Sequence, residues 1–147
     1  MKVILRHFKN SDSGFIRREL WQNTKQEEVA AMITEWDTLK HDGSYFEMFA
    51  IEADSELAGY VSLYERKEST VTVGADIVSG YRRKGVAYAA ITEALRRARE
   101  SGYKKADARV RKDNTASLRL CEKLGFVITD EDVTAQGREV YNLEKDL

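Results

Sequence analysis

Val71-Thr72-Val73-Gly74-Ala75-Asp76-Ile77-Val78-Ser79-Gly80-Tyr81-Arg82-Arg83-Lys84-Gly85-Val86-Ala87 opens the stretch that decides the reading of this chain, and the stretch runs on to Ala98. Val71, Val73, Ala75 and Ile77 alternate with Thr72, Gly74, Asp76 and Val78, which is the period of a strand. Ser79-Gly80 breaks it. From Ala87 the period changes: Ala87, Ala90, Ile91, Ala94, Leu95 and Ala98 fall on one face of a helix. Between strand and helix lies Arg82-Arg83-Lys84-Gly85. The first N–H groups of a helix have no internal partner and carry the positive end of its dipole. An anion placed there satisfies them, and Gly85 lets it approach the backbone closely. Cations at that end oppose the dipole unless an anion is present. The competing reading of Arg82, Arg83 and Lys84 is a basic helix start that only keeps the surface solvated.

Charge is distributed to match. The 147 residues carry a net charge of −1, which argues against bulk nucleic-acid binding. Residues 1–60 hold seven Lys/Arg against eleven Asp/Glu, whereas residues 82–112 hold eleven against three. The basic segment is the one with the anion loop. Hydrophobic residues at 42% and charged residues at 33% describe a globular chain with a real core. No apolar run approaches the roughly 20 residues of a membrane span, and the polar start Met1–His7 reads as a strand rather than a signal peptide. Cys121 is the single cysteine, so no internal disulfide forms and a reducing cytoplasm is the expected home. His7 and His41 are the only histidines and lack a metal-ligand spacing, so no metal site is expected.

Taken in order, Val3 to Phe8 reads as a strand. Asn10 to Ser13 supply caps for a helix through Phe15, Ile16 and Leu20. A second helix covers about Gln26 to Leu39, with Val29, Met32, Ile33 and Trp36 on one stripe. Asp42-Gly43-Ser44 turns into a strand from Tyr45 to Ala53. Asp54 to Glu56 turns into another from Leu57 to Tyr64, and Arg66 to Ser69 turns into the Val71 strand. After the central helix, Gly102 suits a C′ position. Ala106, Ala108 and Val110 then alternate as a strand lying parallel to Val71–Val78, with a right-handed crossover. Asn114 caps a helix whose apolar face is Ser117, Leu120, Cys121 and Leu124, and Gly125 ends it. Phe126 to Thr129 and Glu139 to Glu144 close the chain around a loop at Asp130 to Gly137. The whole, 1–147, reads as one mixed α/β domain in the order β-α-α-β-β-β-α-β-α-β-β.

Arg82-x-x-Gly85-x-Ala87, set between strand and helix, resembles the acyl-CoA pyrophosphate loop of the GCN5-related N-acetyltransferase (GNAT) family. Asn114-x-x-Ser117 followed by Glu122-Lys123-Leu124-Gly125-Phe126 resembles that family's second hallmark, and Tyr141 to Leu147 its last strand. The element order is also the family's, so the likeness spans the chain. It is strongest from Val71 to Phe126.

The resemblance implies that the Val71 and Ala106 strands start paired and then splay, and that the pantetheine arm of acetyl-CoA inserts as an extra strand. On that pattern Ile77 and Val78 offer backbone groups to the cofactor, and a backbone N–H nearby faces the thioester carbonyl. Arg82, Arg83, Lys84, Gly85, Val86 and Ala87 hold the pyrophosphate, with Tyr88 beside them. Asn114 is either the family's Asn that bonds the pantetheine or substrate side of the cleft, or a plain N-cap. The position where many members carry a Tyr that protonates the departing thiolate is Cys121 here; a thiol can serve, but Cys121 sits on the apolar face of its helix, where a buried packing role suits it better. Ser117 is the other candidate partner of the leaving sulfur, as in the subgroup acting on protein N-termini and related amines. Many members carry a Glu early in the Val71 strand, and none stands here. Asp76 lies in that strand but on the opposite face, which favours a surface role; Tyr64 and Tyr81 are unranked as bases, and a water chain to solvent is the further route for the proton.

The resemblance therefore implies transfer of acetyl from acetyl-CoA to a primary amine, by direct attack in a ternary complex. The acidic bias of residues 1–60 suits a cationic small molecule or a protein N-terminus as acceptor. A catalytically silent acyl-CoA binder or sensor is the alternative, supported by the missing Tyr and Glu. Neither nucleic acid nor membrane is an expected partner, and a homodimer through an edge strand near Tyr141 is the expected assembly.

Overall fold

The computed structural model describes residues 1–147. Its strands are β1 (Val3–His7), β2 (Lys40–His41), β3 (Ser44–Ala53), β4 (Glu56–Lys67), β5 (Thr70–Ile77), β6 (Lys105–Arg111), β7 (Val127–Val133) and β8 (Glu139–Asp146). Its helices are α1 (Ser13–Phe15), α2 (Gln26–Trp36), α3 (Val86–Glu100) and α4 (Thr115–Lys123). One sheet runs β1-β3-β4-β5-β6-β8-β7, with β2 paired to β3. All pairings are antiparallel except β5 with β6.

Each face of the sheet has its own core, because the alternation of each strand sends every second side chain to one side. Val61, Leu63, Val71, Val73, Ala106, Ala108 and Leu143 meet Ala90, Ile91, Ala94 and Leu95 of α3 and Cys121 of α4 in a cluster of 23 buried residues. On the other face, Met48 and Ala50 of β3 meet Ile16, Val29 and Ile33, with Phe15, Leu57 and Tyr60 packed against them. Burying each large apolar side chain stabilises the fold by about 1.5–3 kcal/mol, so the α3 face anchors the sheet.

Both expected helix-ending glycines act as such. Gly102 and Gly125 have φ of 100° and 93°, and the chain closes over them with paired bonds (Tyr103 N–H to Ala98 O at 3.1 Å, Phe126 N–H to Cys121 O at 2.9 Å), the Schellman arrangement.

Several boundaries differ from the sequence reading, each for a local reason. The first helical segment is irregular: a 3-10 turn at Asn10–Asp12, the single turn α1, and a π turn at Ile16–Leu20. α2 stops at Trp36, because Leu39 has φ 56° and turns the chain into the extra strand β2. Asp42 and Gly43, both with positive φ, form the two-residue turn from β2 to β3. β4 reaches Lys67, so the turn into β5 is shorter than Arg66–Ser69. β7 continues through the acidic run Asp130-Glu131-Asp132 to Val133, leaving a shorter loop than Asp130–Gly137. The largest correction concerns the sheet edge. Tyr141 lies on β8, which is enclosed between β6 and β7; the free edge on that side is β7. No helix is long and apolar enough to cross a membrane.

Candidate active site

The parallel pair β5–β6 holds for only three registers, Thr70↔Lys105, Val71↔Ala106 and Thr72↔Asp107. Beyond Thr72, β5 stays paired with β4 as far as Gly59↔Ile77, while β6 leaves toward β8. The two strands therefore splay, as the resemblance implied. A side-chain bond closes the fork: the Thr72 hydroxyl donates to Asp107 Oδ1 at 2.5 Å, and both residues are buried. Arg66 and Lys67 approach the other Asp107 oxygen at 3.8 and 3.9 Å.

Backbone groups of β5 alternate between its two neighbours. At the lower end the Ser69 carbonyl accepts from the N–H of Lys104 and Lys105 on the β6 side. At the upper end the Val78 N–H donates to Ala58 O at 2.8 Å on the β4 side. Odd-numbered residues of β5 thus face β6, and above the fork Val73, Ala75 and Ile77 face an open gap. Ala75 is exposed there. Of the two positions expected to serve a cofactor, Ile77 keeps its N–H toward the gap. Val78 does not fit that role: its N–H goes to Ala58, and its carbonyl accepts from Tyr81 N–H at 2.9 Å. The Ile77 carbonyl accepts from Arg82 Nε at 2.7 Å.

The loop that follows leaves its main-chain donors free. None of the Arg83, Lys84, Gly85, Val86, Ala87 and Tyr88 N–H groups makes a hydrogen bond of normal geometry within the chain. Gly85 takes φ 80° as the residue capping α3, and a Cβ there would meet nothing within 4 Å. Conformation rather than crowding therefore requires glycine, and the space above it is open. Arg83 holds φ 63° without being glycine, a costly conformation retained where its cation faces outward. Lys84 lies over the Tyr81 ring at 5.7 Å. Arg82 behaves differently from its neighbours: besides its bond to Ile77, it contacts Asp76 Oδ1 at 3.6 Å. Its guanidinium braces the loop against the end of β5.

Across the gap, Asn114 Oδ1 accepts from the Ser117 N–H at 3.2 Å, capping α4. Its amide nitrogen makes no bond in the chain, so cap and ligand contact are compatible roles for one side chain. Ser117 is half-buried. Cys121 is buried in the main core, and burial pushes its thiol up, which suits packing better than proton donation. Of the unranked polar residues, Tyr64 stands opposite Thr72 at the base of the gap. Tyr81 stands at the mouth, its hydroxyl donating to Glu56. Asp76 is on the face away from α3 and about half exposed. No group of three or more His, Cys, Asp or Glu side chains gathers at ligating distance.

The sequence model described as "Acetyltransferase (GNAT) family" matches residues 12–126. The chain belongs to the GNAT acetyltransferase family. No curated protein matches it. Among solved structures, RimJ of Mycobacterium smegmatis in complex with CoA-disulfide superposes with a TM-score of 0.85 at 17% identity, covering 98% of this chain and 81% of that one. An acetyltransferase of Salmonella typhimurium that modifies the N-terminal serine of ribosomal protein L7/L12 gives 0.81 at 17%, covering 100% and 96%. A spermidine N-acetyltransferase SpeG chimera from Vibrio cholerae and hSSAT gives 0.75 at 22%, covering 98% and 95%. At these identities the likeness is one of fold. For a GNAT enzyme, the fork clasp Thr72–Asp107 and the bond from Arg82 to the end of β5 are features that sequence reading missed. Asp107 reads as the outer face of an alternating strand, and nothing in its neighbours marks it as buried.

Proposed function

We propose that this GNAT protein, acting as one unit over 1–147, transfers an acetyl group from acetyl-CoA to a primary amine by direct attack. The observation that carries the proposal is the gap above Thr72, which opens β5 backbone groups beside a loop of unpartnered N–H groups. Acetyl-CoA supplies the acetyl group as a thioester. The N–H groups of Gly85, Val86 and Ala87 receive the pyrophosphate, with Arg83 and Lys84 adding charge and Arg82 holding the loop in register. Ile77 and Ala75 offer main-chain bonds to the pantetheine arm, as a strand edge does for an added strand.

The remaining roles follow from chemistry. A backbone N–H of β5 above the fork stabilises charge that develops on the carbonyl oxygen. An alkyl ammonium cannot attack, and with a pKa near 10 only about one amine in a thousand is free at pH 7, so the site must accept a proton. Tyr64 at the fork and water reaching Asp76 are the groups placed to pass it on. Ser117, on the far wall, is the candidate partner of the departing sulfur, rather than Cys121. The acceptor is a small-molecule amine or a protein N-terminus, consistent with what the structural relatives named above act on.

Thiol release from acetyl-CoA, followed across a panel of primary amines and N-terminal peptides, tests this. Turnover with saturation in both substrates is expected. Tight CoA binding with no turnover on any amine would instead make the protein a silent acyl-CoA binder.

A further inference from the structure

A cavity lies at the end of β5, with Val78 in its wall. It has a volume of about 530 Å3 and lies between the first helical segment, the start of β4 and the turn after β5. Phe15, Leu57 and Val78 form its apolar walls, and Glu19, Glu56 and Tyr81 line it as polar groups. Phe15 and Leu57 also pack against the core beneath α2, so the cavity opens on the sheet face opposite α3. Tyr60 and Asp76 are a cross-strand pair of β4 and β5, and Tyr60 packs on the same side.

Charge at the cavity is predominantly negative. Glu56 accepts from the Tyr81 hydroxyl, and the fields of Glu56 and of Asp54 both oppose ionisation of that phenol. Glu19 completes the acidic rim; Arg18 is the one cation lining the cavity and approaches Glu19 at 3.3 Å. An apolar body with a positive end complements such a site.

Length follows from the strand. The thioester end of an inserted arm lies deep in the gap, toward Ala75, because its phosphates are at Gly85–Ala87. From Ala75 to Val78 is three strand steps, or about 10 Å. Resting on the transferase reading above, we infer that this cavity is an acceptor subsite for an aliphatic diamine. One amine reacts in the gap, and the second, as an ammonium, sits between Glu19 and Glu56.

The test compares diaminooctane with octylamine, which has the same chain and no second charge, at fixed acetyl-CoA. The expected kcat/KM ratio favours the diamine by about tenfold, the value of one charge-assisted contact. In a Glu19→Gln/Glu56→Gln double variant that ratio falls toward one, and in Arg18→Gln, which removes the competing cation, it rises. Equal use of both amines, or a ratio untouched by these variants, overturns the proposal. A bis-trimethylammonium octane, which cannot be acetylated, separates the two readings by calorimetry. Its binding, lost in the double variant, supports the subsite even if no amine turns over, in which case only the transferase reading falls. Its failure to bind overturns the subsite whatever the turnover.

Discussion

The lower and upper halves of β5 carry one alternation and do opposite work. From Thr70 to Thr72 the strand is paired on both sides and fully buried. From Val73 to Ile77 it is paired only with β4, and Ala75 and Asp76 are exposed. What differs is the neighbour. β6 is pinned at Asp107 and then follows β8, so main-chain groups that a sheet would normally satisfy are left without a strand partner. A site made of unpaired backbone is invisible to side-chain patterns. Here it is fixed by where one hydrogen-bonded pair of side chains ends the ladder.

The strongest way to break the contrast acts on both halves together. Gly59 faces the end of β5, and a Cβ on it would overlap the Asp76 carbonyl oxygen. Gly59→Val is expected to cost about 3 kcal/mol or more, as severe backbone clashes do, and to abolish acetyl-CoA binding; urea unfolding and calorimetry check both. Next comes the fork. Thr72→Val leaves a buried Asp107 oxygen without its partner and is expected to cost about 1–3 kcal/mol. The accompanying loss of acetyl-CoA affinity should be no larger than the loss of stability.

Ala75→Pro sharpens the comparison, because it removes an N–H that faces the gap rather than the ladder, as edge prolines do. Its expected signature is reversed: acetyl-CoA affinity falls about tenfold, the scale of one main-chain bond in a dry cleft, while the unfolding midpoint changes little. If Ala75→Pro destabilised the fold as Thr72→Val does, the two halves would not differ as described. Arg83→Gly relieves the positive φ of 63° while removing a cation, so stability should hold or rise slightly as CoA affinity drops and becomes less salt-sensitive.

The smallest effect lies on α3, away from the fork. Hydrogen bonding from Arg96 holds the Glu93 carboxyl down at about 2, with Arg97 assisting against burial. The folded value is below the ordinary 4.5, so this contribution is present above the unfolded pKa and is lost as pH falls toward 2. Glu93→Gln should therefore lower the unfolding temperature slightly at neutral pH and not at all near pH 2, without altering the pH profile of turnover.

Much of this was legible in the sequence. The switch of period after Ile77 gave β5 and α3, Gly85 marked the cradle, and Gly102, Asn114 and Gly125 marked helix ends, because each is a local choice with a local cause. The splay itself came from resemblance, not from spacing. Other features were not legible. β7 runs through Asp130–Asp132, and charges that read as loop are tolerated on an edge strand. Val78 reads as available from its position, but β4 takes its N–H and the 3-10 turn at Ser79–Tyr81 takes its carbonyl. Arg82 reads as one of three equivalent cations, yet the Ile77 carbonyl ties its exposed guanidinium to the end of β5.

Amide hydrogen exchange along β5, with and without acetyl-CoA, tests the central claim most directly. The Ala75 and Ile77 amides are expected to exchange readily in the free protein and to become protected when acetyl-CoA or CoA is added, while those of Thr70 to Thr72 are slow throughout and ATP or NAD changes nothing. Amides of Ala75 and Ile77 that are already protected without ligand, or that stay open when CoA is bound, would contradict it.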